Sequence, residues 1–188
     1  MPRVYIAGPF FNPRQVELIS RIEVLCRQCN LEFFSPRLLS SDGTDITQPV
    51  PKIGSAVMAQ QVFEKDYAEL RRCTHMVAVL DYVLPANQEL RLIAMSADQP
   101  TLWLVPASGP LSLPDSGTVW EMGVMYALGK LIVGYTEAKH GNLNLMLTQS
   151  CIGVANREGL VPALLAIAAS CDNDTLKRSL PQWQGSYR

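Results

Sequence analysis

Three carboxylates in this chain stand where their neighbours could turn them into reagents. Glu121 lies in Asp115-Ser116-Gly117-Thr118-Val119-Trp120-Glu121-Met122-Gly123, at the expected start of a helix. Thr118 and Glu121 have the S/T-x-x-E spacing of a capping box, whose bland meaning is helix initiation. A carboxylate in the first turn is also held ionised by the positive end of the helix dipole. Facing a cleft, such a group is suited to attack an electrophilic sugar carbon. Asp115, on the incoming loop, would share the pocket. Asp66, in Glu64-Lys65-Asp66, would serve as a proton donor if burial and neighbouring carboxylates raise its pKa. The ordinary alternative is a charge on a solvated helix face. A fourth feature is Tyr5-Ile6-Ala7-Gly8-Pro9-Phe10-Phe11-Asn12. Gly8 permits a close backbone approach there, and the aromatics would wall a pocket for a flat ligand. The alternative is a tight turn with two core phenylalanines.

Other chemistries fail on spacing. Cys26-x-x-Cys29 is the only close cysteine pair, and the two histidines, His75 and His140, stand alone, so no zinc set forms. The pair also falls inside a helical pattern, where Cys behaves as a small hydrophobe. Gly123 to Lys130 lacks the spacing of a P-loop, and Gly8 opens no G-x-G-x-x-G. Neither histidine completes a Ser-His-Asp set.

The elements that must position these groups alternate between apolar runs and helical patterns, which predicts an α/β domain with a mostly parallel sheet. Val4–Ala7 is the first strand, ended by Gly8-Pro9. A helix opens at Pro13, with Val16, Leu18, Ile19, Ile22, Leu25 and Cys26 at helical spacing. Leu31–Phe34 is the second strand. A polar loop runs from Asp42 to Pro51, followed by a helix over 53–72 with apolar positions Ala56, Val57, Val62 and Leu70. Met76–Leu80 is apolar throughout and reads as a central third strand. Thr118–Leu128 is a helix closed by Gly129-Lys130. Leu131–Tyr135 and Cys151–Ala155 are the last strands and Leu160–Ser170 the last helix. In such a sheet ligands bind beyond the carboxyl ends of the strands, where Gly8 and the start of the Glu121 helix should meet. The segment from 82 to 114 is much longer than an ordinary strand-to-helix connection. It holds two β-rich pieces, Glu89–Met95 and Thr101–Val105, and is expected to form an inserted hairpin around 88–106. The tail from about 173 to 188 is expected to be irregular.

Composition narrows the partners. The chain has 188 residues, enough for one domain with a real core. It carries 16 Lys+Arg against 17 Asp+Glu, a formal charge of −1, so it has no basic field to hold a nucleic-acid backbone. No apolar stretch approaches the roughly 20 residues of a membrane helix. The N-terminus reads as a strand rather than a signal peptide. Five cysteines, an odd count, fit reduced thiols and a cytoplasmic setting.

Taken together, Tyr5-Ile6-Ala7-Gly8-Pro9-Phe10-Phe11-Asn12, Asp66, Asp115-Ser116-Gly117-Thr118-x-x-Glu121-x-Gly123 and Asn144-Leu145-Met146-Leu147 resemble the nucleoside 2-deoxyribosyltransferase family, in the family's order. The resemblance implies a flavodoxin-like three-layer sandwich around a mostly parallel five-stranded sheet. It implies exchange of the base of a purine or pyrimidine 2′-deoxynucleoside through a covalent deoxyribosyl–Glu121 intermediate, in nucleotide salvage. It also implies the partners: deoxynucleosides and free nucleobases, with no metal or organic cofactor. Asp66 would handle the proton of the leaving and entering base, and Asp115 would orient the sugar or the nucleophile. Tyr5, Gly8, Phe11, Gly117 and Met146 would line the substrate site. Asn144 corresponds to a residue that reaches the sugar 5′-hydroxyl across a subunit interface, which implies a homo-oligomer, a dimer or an assembly of dimers. The 82–114 insertion and the tail depart from the family's compact pattern. Two rivals remain: an N-glycosidase acting on a nucleoside or its 5′-monophosphate with water as acceptor, and a non-catalytic nucleotide-sensing module. The turn after the first strand carries only Arg14, which favours an uncharged 5′-hydroxyl over a phosphate.

Overall fold

The computed structural model describes residues 1–38, 56–81, 90–95, 100–105, 114–137, 143–169 and 172–180. The expected loop at 42–51, the helix start at 53–55, His140 and the tail residues 181–188 lie outside them.

Five strands make one parallel sheet: β1 (Arg3–Ala7), β2 (Glu32–Phe34), β3 (His75–Val79), β6 (Leu131–Tyr135) and β7 (Gly153–Ala155). Their order is β2-β1-β3-β6-β7, with every pair parallel. Leaving aside the separate hairpin, this is the 2-1-3-4-5 order of a flavodoxin-like sheet. The two remaining strands, β4 (Leu90–Met95) and β5 (Pro100–Val105), pair antiparallel with each other, the inserted hairpin that the sequence pattern predicts.

Alternation along the strands divides the core into two layers. Val4 and Ile6 of β1, Val77 and Val79 of β3 and Val133 of β6 pack against α1 (Pro13–Gln28), α5 (Arg157–Ala168) and α6 (Asn173–Ser179). Tyr5 and Ala7, Met76 and Ala78, and Ile132 turn the other way, onto α2 (Ala56–Arg72) and α3 (Ser116–Ala127). The central strands are buried on both faces, hence their unbroken apolar runs. Cys26 sits in the first layer, where burial pushes its thiol up to about 12, the behaviour of a small hydrophobe.

Two expectations need correction. The irregular tail is helical over Asn173–Ser179, because Asp172 caps the turn through Thr175 and Leu176 is buried; a helix this short has too few turns to display a period. In α2 the expected apolar positions turn inward only in part: Leu70 is buried and Val62 half-buried, but Ala56 and Val57 are exposed, and Leu70 ends a run Phe63, Asp66, Tyr67, Leu70 spaced i, i+3, i+4, i+7 whose first and third members are exposed. The short helix α4 (Leu145–Ser150) starts at the motif Asn144-Leu145-Met146-Leu147, with Asn144 as its cap.

On the α1 side one carboxylate is locked into structure. Glu23 of α1 and Arg37, just past β2, form a buried bidentate pair whose Nε–Oε1 distance is 2.7 Å. It ties the exit of β2 to the middle of α1.

Candidate active site

Tyr5 is the residue of β1 that points into the α2–α3 layer. Buried between the helices, its hydroxyl donates to Glu121 Oε1 at 2.6 Å. Burial raises the Tyr5 pKa first, and the charges of Glu121 and Asp66 raise it further, so the phenol remains protonated and acts only as a donor.

The registration of Glu121 comes from the start of its own helix. The cap of α3 is Asp115: Oδ2 accepts from the backbone N–H of Gly117 at 2.9 Å and of Thr118 at 3.3 Å. The expected Thr118–Glu121 capping box therefore does not form. Thr118 is the third residue of the helix; its buried Oγ1 has no hydrogen-bond partner, and the first turn holds no acidic residue. A Cβ on Gly117 would lie 2.9 Å from Asp115 Oδ2, so glycine there keeps the cap tight. The other end of α3 closes on Gly129 at φ +67°, with Lys130 N–H donating to Met125 O at 3.0 Å. Lys130 Nζ then donates to the carbonyls of Leu70 at 2.7 Å and Arg71 at 2.6 Å, clamping α3 to the last turn of α2.

This placement reverses one electrostatic expectation. Glu121 lies in the second turn, beyond the reach of the helix-terminal charge. Burial pushes its carboxyl up to about 8; the Tyr5 hydrogen bond pulls the other way, and the charges of Asp66 and Asp115 push it further up. Asp66 behaves as expected: burial raises it to about 6, Lys65 opposes and Glu69 adds. Between these two titrations the two carboxyls together hold a single proton. Neither carboxyl forms an ion pair among the described residues.

The structure thus brings Tyr5, Asp66, Asp115 and Glu121 to one place. The other expected residues have other settings. Gly8 is demanded by packing: a Cβ would lie 2.6 Å from Ile19 Cδ1 and 3.0 Å from Val79 Cβ, where β1 leaves the sheet. Phe11 is not a core residue but 59% exposed, stacked on Phe10 at 5.4 Å, with its N–H donating to buried Gln15 Oε1 at 2.8 Å. Asn144 caps α4, accepting from Met146 N–H at 2.8 Å, and Met146 is exposed. Neither Asn144 nor Met146 bonds to the acidic cluster of its own chain. A Cβ at Gly123 would meet nothing within 4 Å, so the packing of the chain leaves room for a side chain there.

Sequence reasoning missed three rings. Phe63 and Tyr67 of α2 and Trp120 of α3 lie within 5.3–6.3 Å of one another, each partly exposed. The i, i+3, i+4, i+7 stripe containing Asp66 is the signal that would have found the first two. Among the described residues there is no group of three His, Cys, Asp or Glu side chains suited to hold a metal ion. Nor is any helix among them long and apolar enough to cross a membrane.

The family model for nucleoside 2-deoxyribosyltransferase matches residues 4–151, a span containing all four of the clustered residues. Among solved structures the chain is similar to the 2-deoxyribosyltransferase of the psychrotolerant bacterium Bacillus psychrosaccharolyticus. The TM-score is 0.53 at 25% identity, covering 81% of this chain and 84% of that one. A 2-deoxyribosyltransferase from Leishmania mexicana follows with TM-score 0.44 at 20% identity, over 74% of this chain and 67% of that one. No curated protein matches the chain.

Proposed function

The chain belongs to the nucleoside 2-deoxyribosyltransferase family, and from that premise we propose that it exchanges the base of 2′-deoxynucleosides through a covalent deoxyribosyl–Glu121 intermediate. The observation that carries this reading is the burial of Glu121 against the Tyr5 hydroxyl, with Asp66 and Asp115 close enough to act on its charge.

The ionised Glu121 oxygen attacks C1′ of the deoxyribose. The C1′–N bond breaks, its electron pair goes to the base nitrogen, and the carboxylic acid of Asp66 supplies the proton to the leaving base. In the second half, a nitrogen of the incoming base attacks C1′, its proton passes to the Asp66 carboxylate, and the C1′–O bond returns its electrons to Glu121. Two inversions retain the sugar's configuration, as in a retaining glycosidase with a nucleobase in place of water. Atoms and electrons balance within the substrates and these side chains, without a cofactor.

The two acids need one proton in the right place. Between about pH 6 and 8 the pair carries one proton, and the productive arrangement puts it on Asp66 and the charge on Glu121. Tyr5 favours that arrangement by donating to the charged oxygen, and the carboxylate that Asp115 holds on the helix cap faces the same space. Asn144 and Met146, exposed at the start of α4, are available to complete the site of a second subunit, with Asn144 toward the 5′-hydroxyl. Such an exchange fits nucleotide salvage.

The test is incubation with deoxyinosine and free adenine followed by chromatography. Deoxyadenosine is the expected product. Free deoxyribose alone would assign an N-glycosidase, and no turnover with either purine or pyrimidine pairs would assign a sensing module.

A further inference from the structure

Strand β2 is three residues long and forms an edge of the five-stranded sheet. Its last residue, Phe34, is the registered neighbour of Tyr5 on β1. Successive residues of a strand turn to opposite faces. Phe34 accordingly joins Tyr5 in the α2–α3 layer, while Phe33 packs against the other layer. The Phe34 and Tyr5 rings lie 5.4 Å apart between centroids and are tilted by 40°. The Lys65 ammonium of α2 also stands over the half-buried Phe34 ring, 5.5 Å from its centroid. The phenol that Phe34 touches is the one that donates to Glu121 Oε1 at 2.6 Å. A chain of contacts thus runs from Lys65, the sequence neighbour of Asp66, through Phe34 and Tyr5 to Glu121.

We propose that Phe34 is a positioning residue for the nucleophile, acting through Tyr5: its ring seats the phenol so that the hydroxyl stays on Glu121 Oε1. The inference rests on the exchange reading above, in which Glu121 must be ionised to attack. A tyrosine hydroxyl stands at the end of a rigid lever, and a small swing of the ring carries it out of hydrogen-bonding range. Strand pairing fixes the main chain of Tyr5 but not the angle of its ring. Phe34 borders that ring from the neighbouring strand and limits the swing. The bond matters because it favours the charged form of Glu121, which burial first, and then the charges of Asp66 and Asp115, oppose. The groups acting on Glu121 are therefore Tyr5 from β1, Asp66 from α2 and Asp115 at the start of α3. Lys65 and Glu69 act on Asp66. Phe34 carries no charge, so its loss reaches Glu121 by two routes of opposite sign. A lost Tyr5 bond raises the carboxyl pKa, whereas water admitted to the site lowers it.

The experiment compares wild type, Tyr5→Phe, Phe34→Leu and the double variant by base exchange and by the carboxyl-carbon NMR titration of Glu121. Phe34→Leu should lower kcat by about ten- to a hundredfold with little change in KM, and should move the Glu121 titration upward. Tyr5→Phe should do the same, because it removes a hydrogen bond to a charged group. Adding Phe34→Leu to Tyr5→Phe should cost nothing further, since the two act through one bond. Phe34→Tyr, which keeps the ring, should retain most of the exchange. Losses that multiply in the double variant would overturn the positioning role. So would a Glu121 titration that stays in place or moves downward in Phe34→Leu. Should Phe34→Leu melt below the assay temperature, Phe34→Met takes its place in the same comparison. If wild type exchanges no base, the exchange reading fails and the titration alone decides for Phe34. An upward movement seen only while Tyr5 is present then upholds the seat, and its absence overturns it.

Discussion

Two glutamates lie on opposite sides of the same sheet, one buried and one half-buried, and the protein treats them differently. Glu23 of α1 is matched by the guanidinium of Arg37 in a bidentate pair, with side chains only 1% and 3% exposed. Glu121 of α3 meets a phenol and the field of two further carboxylates. The first arrangement satisfies a charge and fixes a loop to a helix. The second leaves a charge poorly satisfied beside the proposed path of the substrate, the environment in which a carboxyl titrates near neutrality and can do chemistry there. One side of the sheet supplies stability; the other tolerates an unfavourable burial.

The contrast is sharpest if each glutamate is removed. Glu121→Ala should reduce base exchange by at least about a thousandfold while the protein remains folded, measured by product chromatography and circular dichroism. Glu23→Ala should leave the Glu121 site intact but cost about 3–5 kcal/mol in urea unfolding, because the buried Arg37 guanidinium loses its bidentate carboxylate. A Glu23→Ala protein as stable as wild type would break the comparison.

Replacing Asp66 separates proton transfer from nucleophilic attack. Asp66→Asn should lower exchange by about a hundredfold or more. The same variant should recover with a substrate whose leaving group needs no proton, such as a deoxyribosyl fluoride; an equal loss with both substrates would deny Asp66 the proton role.

The pH dependence tests the asymmetry from another direction. Glu121 must lose a proton and Asp66 must keep one, so kcat/KM should rise toward about 8 on one account and fall above about 6 on the other. The product is a bell centred between those values, with only a small fraction of the protein in the productive form at its peak. Stability follows the opposite logic from that of an ion-paired acid. Both folded pKa values lie above the ordinary carboxyl range, so the folded state holds more protons through that interval, and its stability falls as pH rises from about 4 to 8. Glu121→Gln removes the larger part of this slope and should melt higher than wild type at pH 9, by the equivalent of about 2–4 kcal/mol. Glu23→Gln should show no such gain.

The smallest effect concerns the cap. Asp115→Ala removes two hydrogen bonds from the first turn of α3 and should cost about 1 kcal/mol of stability. A larger fall in exchange than this loss implies would assign Asp115 a role toward substrate as well.

Most of the fold was legible because strand and helix signals here are strong. β1, β3 and β6 are apolar runs buried on both faces, and α1 displays four helical turns of regular spacing. Helix α6 was not legible, since two turns give no period and its anchor is one buried leucine. The site divided along the same line. Tyr5, Asp66, Asp115 and Glu121 were identified as residue types in order, and the sheet topology brings them together. The cap was misassigned because Asp115 and Thr118 both have side chains that can cap a helix; the choice depends on where the incoming chain turns. The cluster of Phe63, Tyr67 and Trp120 went unread for a related reason: Phe63 and Tyr67 lie on the same helical stripe as buried Leu70, and only the folded chain reveals that they are exposed.

The cap of α3 also bears on how this chain tolerates change. Because Asp115 starts the helix locally and Lys130 anchors its far end to α2, the position of Glu121 is defined between two fastenings that both lie after the inserted hairpin. Changes to the sequence before Asp115 leave both fastenings in place, which makes that sequence a natural graft point for shortening, exchange or tagging.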